Sequence, residues 1–102
     1  MSQLRTTSCR RNIERTSARV PVLVHCRGRF QRAMITDYSQ AGLQLEGTFG
    51  LIPSDRVLIE LASGVQVPGR VEWSLGGQTG VVFPERLEES HQAMVELARK
   101  AG

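Results

Sequence analysis

Residues 20–37, VPVLVHCRGRFQRAMITD, decide the fold. Val20, Val22, Val24 and Cys26 fall on one face at a period of two, the repeat of a half-buried strand and not of a helix. Arg27-Gly28-Arg29 interrupts the run, and a second extended stretch, Phe30–Asp37, returns along it, so the reading is a β-hairpin. Pro21 has no amide hydrogen to give to a ladder and suits a strand start or an edge.

The same grammar continues downstream. Tyr38–Gly42 is a turn, Leu43–Glu46 a short strand, and Gly47, Gly50, Pro53 and Ser54 mark a longer loop. Arg56–Leu61 alternates through Val57, Ile59 and Leu61; Ser63-Gly64 turns the chain into Val65–Trp73, where Pro68-Gly69 predicts a bulge or the end of pairing. Gly76-Gly77 is the clearest hairpin turn, and Thr79–Phe83 returns from it. After Pro84 the period becomes helical, with Leu87, His91, Met94, Ala98 and Ala101 on one stripe, widened by Val95 and Leu97, which predicts a helix over about 86–101. Six strands in so short a chain leave open edges unless the sheet closes, so the expected architecture is mainly β, a small six-stranded antiparallel β-barrel with a C-terminal α-helix. Trp73 and Phe83 are assigned to its core, and Tyr38 to an exposed turn.

A chain of 102 residues, 40% hydrophobic and 23% charged, suits one small globular domain. Residues 1–12 are polar and aperiodic and read as a flexible basic N-terminal arm, leaving 13–102 as the domain. The two cysteines, Cys9 and Cys26, and the two histidines, His25 and His91, show no metal-ligand spacing. No apolar run reaches the ~20 residues needed to cross a bilayer, and no signal-peptide core is present, so a soluble cytoplasmic protein without membrane insertion is expected. No nucleophile–base pair is evident, and the chain is not expected to be an enzyme.

Charge is unevenly placed. Residues 1–32 hold eight arginines against Glu14 alone, a net of +7, while the remainder holds four arginines and Lys100 against nine acids, a net of −4. Arg11, Arg15 and Arg19 stand four apart, with Arg10 beside them. Guanidinium presents a planar fork of donors that fits phosphate oxygens, so this end of the chain suits an anionic ligand. Two registers of RxxxR are possible, Arg11 with Arg15 and Arg15 with Arg19; the second, Arg15-Thr16-Ser17-Ala18-Arg19, runs directly into Val20-Pro21-Val22. A DxSxxG pattern, Asp37-Tyr38-Ser39-Gln40-Ala41-Gly42, closes the first hairpin, and a late strand pair runs from Gly69-Arg70-Val71-Glu72-Trp73 to Gly80-Val81-Val82-Phe83.

RxxxR, DxSxxG and GVxF in this order resemble the PilZ domain, a bacterial receptor module for cyclic di-GMP, over about residues 10–87. The resemblance implies a six-stranded antiparallel barrel with a C-terminal helix and a ligand, cyclic di-GMP, with no further cofactor. Arg15 and Arg19 are then the phosphate- or guanine-binding arginines, while Asp37, Ser39 and Gly42 form the opposite half of the site. Arg10 and Arg11 are additional contacts. The chemistry is consistent: guanidinium binds phosphate oxygens or the O6/N7 edge of guanine. A carboxylate at Asp37 accepts from the guanine N1–H and amino group, a donor pair adenine lacks. Ser39 can reach the same edge or simply cap the turn, and Gly42 permits positive φ or close backbone approach. Glu14, an acid directly before the motif, bears on whether one or two ligand molecules bind.

The expected function is a cyclic di-GMP receptor or adaptor in second-messenger signalling. Its arm, through Arg19, would order over the ligand, and the altered surface would engage an unidentified downstream protein. Two alternatives differ in class. One is a PilZ-like adaptor that binds no nucleotide, although the arginine motif is intact here. The other is a basic barrel binding RNA or DNA, disfavoured because only 5% of residues are aromatic.

Overall fold

A computed structural model describes residues 14–101. Six strands, β1 (Thr16–Cys26), β2 (Arg29–Tyr38), β3 (Gly42–Glu46), β4 (Arg56–Glu60), β5 (Gln66–Leu75) and β6 (Gln78–Val82), precede one helix, α1 (Gln92–Ala101). All strand pairs are antiparallel, and the order β1-β2-β3-β6-β5-β4 closes on itself as a barrel. The six-stranded barrel with a C-terminal helix is therefore as expected, and the N-terminal arm lies outside the described residues.

The hairpins follow from their turns. Arg27 and Gly28 both have positive φ, at 53° and 76°, as do Gly76 and Gly77, at 60° and 83°. Two consecutive left-handed residues suit the right-handed twist of the flanking strands. The inward residues fill the barrel: Val20, Val22 and Val24 of β1 meet Ile35, Leu45, Ile59, Val67, Val71 and Val81. Burial of each such side chain stabilises by about 1.5–3 kcal/mol before entropy is subtracted. Thr79, fully buried, is satisfied by the hydroxyls of Thr48 at 2.7 Å and Ser74 at 3.1 Å. Closure is brief: β1 meets β4 only through Leu23, Val24 and His25, so Pro21 sits where β1 has no partner on that side.

Three register shifts depart from simple alternation. Between the pairs Ser17–Asp37 and Val20–Ile35, β1 carries Ala18 and Arg19 against Thr36 alone. Thr36 is the extra residue where β2 meets β3, and Glu72 where β5 meets β6. The bulges at Thr36 and Glu72 reverse which residues face inward, whereas on β1 Ala18 keeps the inward phase of Val20, Val22 and Val24. On β2 the buried set runs Ala33, Ile35, then Tyr38, so Tyr38 is buried at 5% exposure and not an exposed turn residue. On β5 the inward run Val67, Gly69, Val71 ends at the bulge, and Trp73 emerges at 39% exposure in place of the core position expected for it. Phe83 is buried as expected. Pro68 and Gly69 pair regularly with Leu58 and Val57, so the expected bulge there lies instead at Glu72.

The helix starts later than about residue 86. Leu87 N–H donates to Gln40 O at 2.8 Å, anchoring the incoming segment on the barrel, and His91 Nδ1 accepts from Ala93 N–H at 3.0 Å, capping the helix start. From that start Ala93, Met94 and Leu97 face the barrel while Val95, Ala98 and His91 are exposed, which corrects the expected stripe. The helix packs against β1, and Glu96 accepts from the Ser63 amide in the β4–β5 turn. No described helix is long and apolar enough to cross a membrane.

Candidate functional site

The bulges assemble the site. Without the extra residue Thr36, the alternation Ala33, Ile35 would carry Asp37 into the barrel. With it, Asp37 turns outward, its side chain 23% exposed, while the Thr36 hydroxyl donates to Gln44 O at 3.4 Å. On β1 the alternation that turns Ala18 and Val20 inward leaves Arg19 on the same outer side, and the bulge there sets Ser17 opposite Asp37. β1 begins at Thr16, earlier than the expected Val20, because Thr16 and Ser17 pair with Tyr38 and Asp37. Arg19 is therefore a strand residue, and Arg15 directly precedes the strand.

Arg15 donates to the carboxylate of Asp37, joining the two motifs across the β1–β2 seam. Arg19 points over β2 toward β3, its Nη1 3.8 Å from Glu46 Oε1, with both side chains largely exposed. Each motif arginine thus faces a carboxylate. Glu46 was not singled out from sequence, because it sits at a strand end with no motif around it.

Ser39 and Gly42 have structural work of their own. The Ser39 amide donates to Gly42 O at 2.8 Å, and its hydroxyl, on a residue 3% exposed, accepts from Ala41 N–H at 3.1 Å. Serine thereby fixes the β2–β3 turn through its own backbone. Gly42 does not need positive φ; a Cβ there would lie 2.2 Å from Val81 O, so close approach of β6 requires glycine. Phe83 N–H donates to Ala41 O at 2.9 Å and Leu87 N–H to Gln40 O, so the segment leading into α1 hangs from this turn.

Cross-strand register extends the surface sideways. Asp37 pairs with Gln44, Gln44 with Gly80, and Gly80 with Trp73, giving an outward row across β2, β3, β6 and β5. The Trp73 indole occupies the space a side chain at Gly80 would need, since a Cβ there would fall 2.2 Å from Nε1. The ring is supported beneath and half open above, a platform for a planar partner. Glycine opposite tryptophan in a late hairpin was the available signal for it; the bulge that exposes the ring left none.

The structure thus brings Arg15, Asp37, Ser39 and Gly42 to one end of the β1–β2–β3 wall, with Arg19 further along it. Arg10 and Arg11 lie outside the described residues.

The family described as PilZ domain matches residues 10–99. Among solved structures, the chain is similar to the PlzA protein of Borreliella burgdorferi, determined in complex with c-di-GMP, at a TM-score of 0.69 and 12% identity. That similarity covers 98% of this chain and 46% of PlzA, so the chain spans under half the length of that protein. No curated protein matches the chain by sequence.

Proposed function

Given that the chain belongs to the PilZ domain family, we propose that it is a receptor for cyclic di-GMP. The observation that carries this reading is the pairing of Arg15 with Asp37: a cation and an anion from two motifs held together on an open, outward-facing wall. Cyclic di-GMP supplies both complements. Its phosphates take Arg15 and Arg19 in charge-assisted bonds, and its guanine N1–H and amino group take the Asp37 carboxylate. Each side chain exchanges an internal partner for a ligand group, Arg15 leaving Asp37 and Arg19 leaving Glu46. Ser39 and Gly42 hold the turn, and Ser39 retains the capacity to meet the base edge. Trp73 offers its open face to a purine, where stacking contributes about 1–3 kcal/mol. The fact that PlzA was determined with c-di-GMP agrees with this ligand class.

Since Arg15 and Arg19 already rest on the barrel, ligand-driven ordering involves the residues before Glu14, among them Arg10 and Arg11. The signal leaves through the segment suspended from the Gln40 and Ala41 carbonyls, which leads directly to α1 and a downstream protein partner. Binding and relay need no chemical step, and the protein acts as a cytoplasmic adaptor.

Isothermal titration with cyclic di-GMP tests the reading. Binding is expected with wild type and lost in Arg15→Ala and Arg19→Ala. Discrimination against cyclic di-AMP is expected to fall in Asp37→Ala. An absence of heat at about tens of micromolar protein, well above the affinity of a working receptor, overturns it.

A further inference from the structure

A groove stands apart from the arginine–aspartate site and shares no residue with it. It runs from the end of β1 across β4 and β5 to the end of β6, with a volume of about 790 Å³. Its floor is apolar, from Leu58, Pro68, Phe83 and Pro84, and its rim is basic, from Arg27, Arg56 and Arg70; no acidic residue lines it. Register lines up part of that floor and carries an apolar row past it: Pro68 pairs with Leu58 and Leu58 with His25 inside the groove, and His25 pairs with Phe30 beyond its edge. Phe30 stands 68% exposed and Leu58 38%, so this row is not covered by the protein itself.

The rim carries an electrostatic conflict. Arg56 and Arg70 are directly opposed on β4 and β5, both exposed, and neither has a carboxylate partner among the described residues. Like charges directly opposite in a sheet destabilise it. Arg27, by contrast, is fixed by Asp55 and by a 3.0 Å bond to Gly50 O. An anion between Arg56 and Arg70 removes the repulsion, and an apolar group beside it covers Leu58 and Pro68.

We propose that this wall is a docking groove for an extended acidic peptide segment of a partner protein, with carboxylates on Arg56 and Arg70 and apolar side chains over Leu58 and Pro68. Charge complementarity and concavity select the occupant: a lipid surface favours a convex apolar tip, and a nucleic acid favours stacking rings along the groove. The proposal does not rest on the cyclic di-GMP reading, because the groove shares no residue with that site.

Selection of short random peptides on the full chain, with counter-selection on Arg56→Glu, tests it. Enriched sequences are expected to carry at least two acids flanking apolar residues. In fluorescence anisotropy they are expected to weaken by about tenfold or more on Arg56→Glu and on Arg70→Glu, and to bind Arg15→Ala unchanged. Arg56→Glu places a carboxylate opposite Arg70, so its thermal midpoint at low salt is expected to rise. Enrichment of peptides without acids, retention on Arg56→Glu, no enrichment over the counter-selected variant, or a lowered midpoint overturns the proposal. So does light scattering that shows a second copy of the chain filling the groove.

Discussion

Arg15, just ahead of β1, donates through its guanidinium to the carboxylate of Asp37 on β2, so the two motifs engage each other directly. The Arg15 side chain is 55% exposed, and exposed ion pairs typically contribute only about 0–1 kcal/mol. Arg15→Ala is therefore expected to cost under ~1 kcal/mol in urea unfolding while weakening cyclic di-GMP by about tenfold to a hundredfold in calorimetry, the scale of a lost charge-assisted contact. A comparable loss of stability and of binding would instead mark the pair as scaffolding.

Glu46 competes for Arg19 at 3.8 Å. Glu46→Gln keeps shape and removes the charge, so cyclic di-GMP is expected to bind about twofold tighter, the gain falling away at high salt. Titrations at two ionic strengths decide this, and weaker binding would show that the ligand itself uses Glu46.

Trp73 is the single tryptophan of the chain, and it stands in the outward row with Asp37 and Gln44. Three strand spacings separate Asp37 from Trp73, about 14 Å. Cyclic di-GMP is expected to alter tryptophan emission in a saturable titration, and Trp73→Ala to weaken binding by about tenfold. Emission that stays constant while calorimetry reports binding would place the ligand elsewhere on the wall.

Gly42→Ala sets a Cβ 2.2 Å from Val81 O, against backbone that cannot swing aside. Overpacking of this kind costs about 1–3 kcal/mol, so the thermal midpoint is expected to fall together with ligand binding. Calorimetric scanning of the variant checks it.

Acid should loosen the loop before β4. The Ile52 amide and then Arg27 hold the Asp55 carboxyl below its ordinary range, and His25 does the same for Glu60. A carboxylate depressed in the folded state contributes stability above its unfolded pKa, about 3.9–4.3, and loses that contribution as pH falls through the folded value. Wild-type midpoints should therefore drop below about pH 4, and Asp55→Asn should flatten that drop; an identical slope in the variant would remove Asp55 from the account.

What was legible in the sequence was whatever obeyed a fixed period. Val20, Val22 and Val24 announce β1, and the positive-φ pairs Arg27-Gly28 and Gly76-Gly77 announce hairpins. Closure followed from strand number. The site motifs were visible as residue types in order, but their facing was not. Alternation carries Trp73 inward and leaves Tyr38 outside; the extra residues Glu72 and Thr36 reverse both. A bulge leaves no compositional mark, because it is a mismatch between two strands and not a property of either. The helix start was hidden for a related reason: the segment before it is held on the barrel by Leu87 N–H to Gln40 O, a contact between distant segments, and His91 caps the helix beyond it.

The short β1–β4 seam has a consequence for the fate of the protein in a cell. Only Leu23, Val24 and His25 close the barrel there, and the strand residues before them have no neighbour on that side from β4. An unpaired strand edge is a template for other chains, and α1, packed on β1, is the element placed to guard it. Removal of residues 92–102 is then expected to yield a protein that self-associates through β1 before it unfolds. The helix has a second duty as insulation against misassembly.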